Sequence, residues 1–249
     1  MQPSITVTSL KKRFNDNDIF SEISFEVKEG EIVAIFGPNG CGKSTILNIL
    51  SDVIKKDGGN FSIKNFDLFR FSYIFQNYRE SLLLWKNNYD NMAFPMKLQG
   101  WEEEEIKEKI KDISKTLGIA LDMKLFPYEM SGGQQQILAI MRAFTNNPRI
   151  IFMDEPFSAL DYENNLILRQ KIQNYYIKHR PTMLIITHDI EEAVHLANKI
   201  IVLSKKPARI LGTISNSAPY PRYTEFLKSD IFRKTKNKVL DAFKKGADL

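Results

Sequence analysis

The sequence predicts an α/β protein built on a parallel sheet, with an antiparallel β region near its start, a helical insertion and a short C-terminal tail. Three observations carry this reading. Residues 31–50 read as strand, glycine-rich loop and helix in succession. Residues 131–204 alternate helical runs with short, continuous apolar runs, the pattern of parallel strands buried on both faces. Ile5-Thr6-Val7 and Ile23-Ser24-Phe25-Glu26-Val27 alternate apolar and polar residues, as half-buried strands do.

Composition bounds the function. The chain has 249 residues, enough for one large α/β domain or two small ones, and its 43% hydrophobic and 26% charged residues support a packed core. Apolar runs such as Met183 to Thr187 and Ile200 to Leu203 are strand-sized and too short for a bilayer. No basic stretch followed by an apolar one marks a secretory signal. The single cysteine, Cys41, excludes internal disulfides and suits a reducing cytosol. Net charge is +5, but from Lys205 onward there are eleven Lys/Arg against four Asp/Glu, and 24 against 26 before it. The basic character therefore belongs to the tail, which suits a solvated surface as well as an anionic lipid or nucleic-acid surface.

Taken in order, residues 1–36 read as strands, with polar turns at Asn15-Asp16-Asn17-Asp18 and at Glu29-Gly30. Phe14 is an aromatic beside basic Lys11-Lys12-Arg13; it suits stacking on an adenine ring or a place in the core. Residues 43–52 read as a helix, and Asp57-Gly58-Gly59-Asn60 as a tight turn. Phe61-Ser62-Ile63 and Tyr73-Ile74-Phe75 read as short strands, and Gln76 leaves the second of them. Leu82-Leu83-Leu84-Trp85 is an apolar cluster in a polar loop. Helices are expected at 89–99 and 102–117, the latter with acids in its first turn and Ile106, Ile110, Ile113 and Leu117 on one face. A helical run from Gln134 to Phe144 follows Ser131-Gly132-Gly133 and ends at Asn146-Asn147-Pro148. Next come strand 150–153, helix 162–179, strand 183–187, helix 190–197 and strand 200–203. The tail carries two short strand-like pieces near Ile210 to Thr213 and a basic helix, with Tyr223, Phe226, Leu227, Ile231, Val239, Leu240 and Phe243 as its apolar positions. The expected segments are 1–85, 86–145, 146–204 and 205–249.

The chemistry starts at Gly37-Pro38-Asn39-Gly40-Cys41-Gly42-Lys43-Ser44-Thr45, which fits the phosphate-loop pattern G-x-x-x-x-G-K-[ST] (Walker A) between a strand and a helix. Glycines let the backbone close around phosphates, and amides and a helix N-terminus face the anion. Lys43 suits the β- and γ-phosphates and Ser44 a Mg²⁺ ion; the plain alternative is a glycine-rich turn before a helix. Asp154, 111 residues after Lys43, ends an apolar strand and suits Mg²⁺, and Glu155 beside it can orient an attacking water. Alone, this pair would read as a helix cap; alone, Gln76 would be an ordinary loop residue, though its amide oxygen also suits the metal.

Together these residues resemble the ABC-type ATPases, on the P-loop NTPase fold. Ser131-Gly132-Gly133-Gln134-Gln135 looks like their signature motif, Ser158-Ala159-Leu160-Asp161 their D-loop, His188 their switch histidine, Gln76 their Q-loop glutamine and Phe14 their adenine-stacking aromatic. The resemblance spans nearly the whole chain. It implies ATP and Mg²⁺ as ligands and a head-to-tail nucleotide sandwich of two copies, each ATP being covered by Ser131, Gly132, Gly133 and Gln134 of the other copy. Glu155, His188, Gln76 and Lys43 would serve hydrolysis. Leu83-Leu84-Trp85, Asp90-Asn91-Met92-Ala93 and Pro207-Ala208-Arg209-Ile210 are similar to importer ATPases for nitrate, sulfonate, taurine and related solutes; some similar members serve thiamine-pyrimidine precursors. That implies membrane permease partners, docking on the loop Tyr78–Trp85, a solute-binding protein, no nucleic acid, and a peripheral place on the cytoplasmic face of the membrane. Gln135, Gln136 and Ile137 depart from the family, which often has Arg there, and Met130 replaces a common Leu. Exporter subunits are an alternative. A DNA-repair ATPase is disfavoured by the 88 residues between Lys43 and Ser131, too few for a long coiled coil, and a non-hydrolysing regulator by the presence of Glu155 and His188.

Overall fold

The computed structural model describes residues 3–247. In chain order the elements are β1 (Pro3–Phe14), β2 (Asn17–Lys28), β3 (Ile32–Phe36), α1 (Lys43–Leu50), β4 (Gly58–Ile63), β5 (Phe71–Ile74), α2 (Tyr78–Ser81), α3 (Asn88–Lys97), α4 (Glu103–Leu117), α5 (Gly132–Thr145), β6 (Ile150–Asp154), α6 (Tyr162–His179), β7 (Thr182–Thr187), α7 (Ile190–Leu196), β8 (Lys199–Leu203), β9 (Ile210–Ser215) and α8 (Asp230–Ala247). They form two compact units. One holds the residues up to Asn65 together with those from Thr182 onward; the other is Phe66–Pro181. Of the expected end segments, residues 1–2 and 248–249 lie outside the described residues.

In the first unit, β3 runs parallel to β7 on one side and β8 on the other, and β9 closes the edge antiparallel to β8. Every residue of β3 and β7 is buried, which explains their unbroken apolar sequences. Each buried Ile, Val or Leu contributes roughly 1.5–3 kcal/mol relative to exposure. A second sheet, β2-β1-β4, is antiparallel, and Ile5, Val7 and Leu10 of β1 with Ile23 and Val27 of β2 supply its apolar side. Helix α8 buries Phe232, Thr235 and Val239 and packs on β8, β9 and α7. Its Phe243 meets Phe36 edge-on, with centroids 5.8 Å apart.

The second unit pairs β5 with β6 in parallel and surrounds them with helices. Helix α4 buries Ile106, Ile110, Ile113 and Leu117, the face its spacing predicts, and starts with a Glu102–Glu105 capping box. Asp161 caps α6 by accepting from Asn164 N at 2.9 Å.

Four local expectations are corrected. Gly58, Gly59 and Asn60 lie in β4, not in a turn: Gly59 has φ +74°, and a Cβ there would sit 2.1 Å from the Ser9 carbonyl oxygen. The glycine marks a close approach at an irregular stretch of the β1–β4 pair, a signal that reads like a turn in sequence. Asn17 and Asp18 start β2, so the turn is confined to Asn15 and Asp16, with Asn15 at φ +51°. Residues 210–215 form one strand. Tyr223, Phe226 and Leu227 belong to a cap and 3₁₀ turn ahead of α8 and not to the helix.

Candidate functional site

In the first unit the phosphate loop leaves β3 at Gly37 and enters α1 through Gly42. Gly42 has φ +108°, and a Cβ there would lie 2.4 Å from Cγ2 of Ile19, so β2 forms a wall beside the loop. Gly40 has φ +75°. These positive φ values turn the chain so that the first amides of α1, which no helical carbonyl can accept, are offered to a ligand. Lys43 is buried, and its Nζ donates to the carbonyls of Gly37 at 2.9 Å and Pro38 at 3.1 Å. The ammonium is thus folded back along its own loop, ready to exchange carbonyl partners for a stronger anionic one. Ser44 and Thr45 are half-buried on the first turn, while Asn39 is exposed. Cys41 is buried, and burial pushes its thiol pKa up against the opposing pull of Lys43, so it stays protonated as a small packing group.

Strand register brings a second expected residue to this loop. Phe36 of β3 pairs with Thr187 of β7, so Gly37 and His188 leave adjacent parallel strands at the same level. Ligands bind at that carboxyl edge in open α/β sheets. His188 is exposed and its backbone is pinned: Thr187 Oγ1 donates to Glu192 Oε2 at 2.6 Å and accepts from Asp189 N at 2.9 Å, while Asp189 caps α7 by accepting from Glu191 N at 2.7 Å. Phe14 is 43% exposed with the Lys12 ammonium 4.9 Å from its ring centroid. It lines an open depression with Ile19, Lys206 and Pro207, and Ile19 is the residue that abuts Gly42. An exposed ring beside an open depression has the form a flat aromatic ligand needs.

In the second unit, β6 delivers Asp154, 4% exposed, at its carboxyl end. Glu155 follows at φ +47°, a left-handed conformation costly for a non-glycine residue and common where function fixes a side chain. Its Oε2 accepts from Gln76 Nε2 at 3.3 Å, so the two expected residues meet. Burial and the Asp154 charge both push the Tyr73 hydroxyl pKa up, leaving it neutral next to the carboxylate strand. Ser131 caps α5: its Oγ accepts from Gln134 N at 3.3 Å, and Gln134 Oε1 accepts from Ser131 N at 2.9 Å. A Cβ on Gly132 would come 3.0 Å from the Tyr78 hydroxyl, and one on Gly133 3.1 Å from Leu160 Cδ2. The segment after Gln76 and the segment after Glu155 therefore both lie against the start of α5.

Sequence reasoning missed the residues that hold this arrangement. Buried Gln136 donates to Pro156 O at 2.7 Å and accepts from Ala159 N at 3.2 Å, tying α5 to the turn that carries Glu155. Gln135, read only as a departure from the family, donates to the carbonyls of Pro127 (2.7 Å) and Met130 (3.2 Å) and so fixes the approach to Ser131. Thr187 and Glu192 do the same for His188. The available signal was a polar residue on the inner face of an apolar helix.

A family profile described as ABC transporter matches residues 20–158. The aliphatic sulfonates import ATP-binding protein SsuB of Bacillus cereus is 32% identical over 98% of this chain and 97% of its own. Among solved structures, cbiO1 of Clostridium perfringens shares the fold, with TM-score 0.76, 22% identity and coverage of 86% of this chain and 88% of that one. A dimeric bacterial ABC transporter cassette superposes with TM-score 0.72 and 27% identity over 84% of this chain and 99% of that one. The chain belongs to the ABC transporter family, as one of its ATP-binding, ATP-hydrolysing subunits.

Proposed function

We propose that the chain energises uptake of a small sulfonate-bearing solute, of the alkanesulfonate or taurine kind, through partner permeases, working as a head-to-tail pair of identical subunits on the cytoplasmic face of the membrane. A solute-binding protein completes the system. The observation that carries this is the 32% identity over 98% of the chain with a protein named for aliphatic sulfonate import. Among the described residues no helix is long and apolar enough to cross a membrane; in this reading the partner permeases form the passage.

In this reading the loop Gly37–Thr45 holds the phosphates of ATP and Phe14 stacks on its base. Lys43 leaves its two carbonyl partners for the β- and γ-phosphates, and its charge and the loop amides stabilise the negative charge that develops on the leaving oxygens. Glu155 orients the attacking water and takes its proton, with Gln76 holding the carboxylate through the bond between them. His188, fixed by the Thr187–Glu192 pair, contacts the γ-phosphate. Ser131, Gly132, Gly133 and Gln134 of one copy cover the ATP on the other, so hydrolysis releases the pair. Ser44, Gln76 and Asp154 would be the residues to hold Mg²⁺, since they carry the hard oxygen donors that suit it. Among the described residues no group of three or more His, Cys, Asp or Glu could hold a metal. When bound, Mg²⁺ neutralises phosphate charge.

The test is twofold. Glu155→Gln is expected to cut turnover by about 10²–10⁴-fold and to yield an ATP-dependent dimer in size-exclusion chromatography with light scattering; unaltered turnover rejects the role of Glu155. Reconstituted with its permease and binding protein, the chain is expected to raise its ATPase rate with an alkanesulfonate or taurine. Stimulation by nitrate or a thiamine-pyrimidine precursor alone rejects the solute class.

A further inference from the structure

The loop that joins β8 to β9 in the first unit is braced against the flanks of the phosphate loop at both its ends. Where it leaves β8, a Cβ added to Gly37 would lie 3.1 Å from Leu203 Cβ. Where it approaches β9, Ala208 N donates to Ile19 O at 2.7 Å, and Ile19 is the wall beside Gly42. Ser204 closes the loop on itself: its N donates to Arg209 O at 3.0 Å, and its Oγ accepts from Arg209 N at 3.0 Å. Lys206 lies in the middle of this loop. With Phe14, Asp16 and Asp18 it lines the open depression, whose volume of about 680 Å³ is within the range of small-molecule sites. The cations near this depression differ in what they already hold. Lys12 Nζ, beside the Phe14 ring, donates to Lys55 O at 2.9 Å and Asp57 Oδ1 at 3.1 Å. Arg13 pairs with Asp18 at 3.3 Å, and Lys43 is folded onto the carbonyls of Gly37 and Pro38. Among the described residues neither a hydrogen bond nor an ion pair holds the Lys206 ammonium. Its charge nevertheless reaches the phosphate loop: the Cys41 thiol is pushed up by burial and drawn down by Lys43 and, more weakly, by Lys206. An exposed lysine without a partner is ordinary in itself; what sets this one apart is a braced loop that reaches both the phosphate loop and the Phe14 depression.

We propose that Lys206 is a nucleotide-binding residue whose ammonium pairs with the α-phosphate of ATP and ADP. The inference rests on the placement given above, with the base on Phe14 and the phosphates in Gly37–Thr45. In that placement Lys43 and the loop amides serve the β- and γ-phosphates, and the ribose and α-phosphate span the distance to Phe14. A nucleotide lying there passes the carboxylates of Asp16 and Asp18, of which Arg13 already offsets one. Lys206 offsets the other and gives the α-phosphate a partner. An ammonium suits a place open to solvent, because a compact charge on a flexible stem follows a ligand that comes and goes, where a guanidinium fork demands a fixed geometry. Hydrolysis leaves the α-phosphate unaltered. Lys206 therefore holds nucleotide before and after the reaction, and telling ATP from ADP is left to Lys43 and His188 at the terminal phosphate.

The experiment measures binding to the full chain by calorimetry, with ADP and with a non-hydrolysable ATP analogue. Lys206→Gln is expected to raise Kd for both by the same factor, about 5-fold, and to flatten the dependence of that Kd on salt. Lys206→Arg is expected to recover part of the loss. Lys205→Gln, which removes the same charge one residue away and outside the depression, is expected to match wild type. The sharpest probe is ADP with sulfur in place of one α-phosphate oxygen. One of its two diastereomers should bind wild type more weakly than ADP does, and that penalty should vanish in Lys206→Gln. A loss confined to the ATP analogue would put Lys206 at the γ-phosphate, and a sulfur penalty unaltered by the substitution would put it away from the α-phosphate; either overturns the assignment. An equal loss in Lys205→Gln also overturns it, in favour of a diffuse field of the basic loop. Wild-type affinity in Lys206→Gln with weakened binding in Phe14→Ala removes the role of the lysine and leaves the nucleotide placement standing. Wild-type affinity in both variants removes the placement as well.

Discussion

A methyl group added at Gly42 would sit 2.4 Å from Ile19, at a φ of +108° that side chains disfavour. The two penalties act together, because moving the loop away from Ile19 also moves the amides that face the ligand. Gly42→Ala is expected to cost about 1–3 kcal/mol of stability and to abolish the ATP-dependent rise in melting temperature. Gly40→Ala is the control, since φ there is also positive but no atom lies within 4 Å of an added Cβ; it is expected to bind ATP more weakly without losing it. A second residue reports on pH. His179 has its pKa lowered, first by burial and then by the like charges of Lys109 and Lys178, and its Nε2 is buried without a hydrogen-bond partner. The folded state thus binds this proton less readily than the unfolded chain. Its contribution is intact above the ordinary histidine pKa, ~6.5, and is lost as pH falls below that value. Urea midpoints for His179→Gln should fall less between pH 7.5 and 5.5 than those of wild type; parallel loss in both would reject the assignment.

At the scale of elements, legibility followed the kind of signal. Helix α6 was read at its observed limits because Asp161 caps it and its length leaves room for many turns. Strands β3 and β7 were legible because burial on both faces leaves an unbroken apolar run. The Gly58-Gly59 pair misled because glycine marks positive φ without saying whether the cause is a turn or a bulge. What sequence could not show was which polar side chains reach across elements. Gln136 is the clearest case: its place on the inner face of an apolar helix signals burial but not its partners, and it bridges α5 to Pro156 and Ala159 after Glu155. The bridge needs a donor and an acceptor at once. Gln136→Glu keeps the acceptor and the volume but loses the donor to Pro156 O, leaving a buried carbonyl unpaired. It is expected to destabilise by about 1–3 kcal/mol and to lower kcat more than it raises KM for ATP. A variant with wild-type kcat would show that this bridge does not set the position of Glu155.

At the scale of the whole chain, the segment after β9 looks in sequence like a basic appendage, yet it completes the first unit. Helix α7 ends with carbonyls that no helical amide can satisfy, and the tail supplies their donors. Buried Arg222 donates from Nη1 to Val194 O, His195 O and Ala197 O, and from Nη2 to Asn216 O and Ala218 O. Asn216 Nδ2 donates to Val194 O and Ala197 O, and the Tyr220 hydroxyl to Leu196 O. His195, buried on α7, answers with a 2.6 Å contact between its Nε2 and Arg222 O, and Lys236 of α8 pairs with Glu191 at 2.7 Å. A guanidinium suits this place because its planar fork reaches several carbonyls at once, which an ammonium on a single stem cannot do. Because α7 begins two residues after His188, with Asp189 as its cap, anything that frays its far end loosens the support of that histidine. Arg222→Met keeps the bulk and removes every donor; it is expected to destabilise the protein by about 3 kcal/mol or more, seen as a lower urea midpoint. Arg222→Lys should fall between Met and wild type. Truncation after Ser215 removes the donors together with Phe232 and Val239, and should leave no cooperative transition. A tail that only shielded the surface would give Arg222→Met an unfolding curve superimposable on that of the parent.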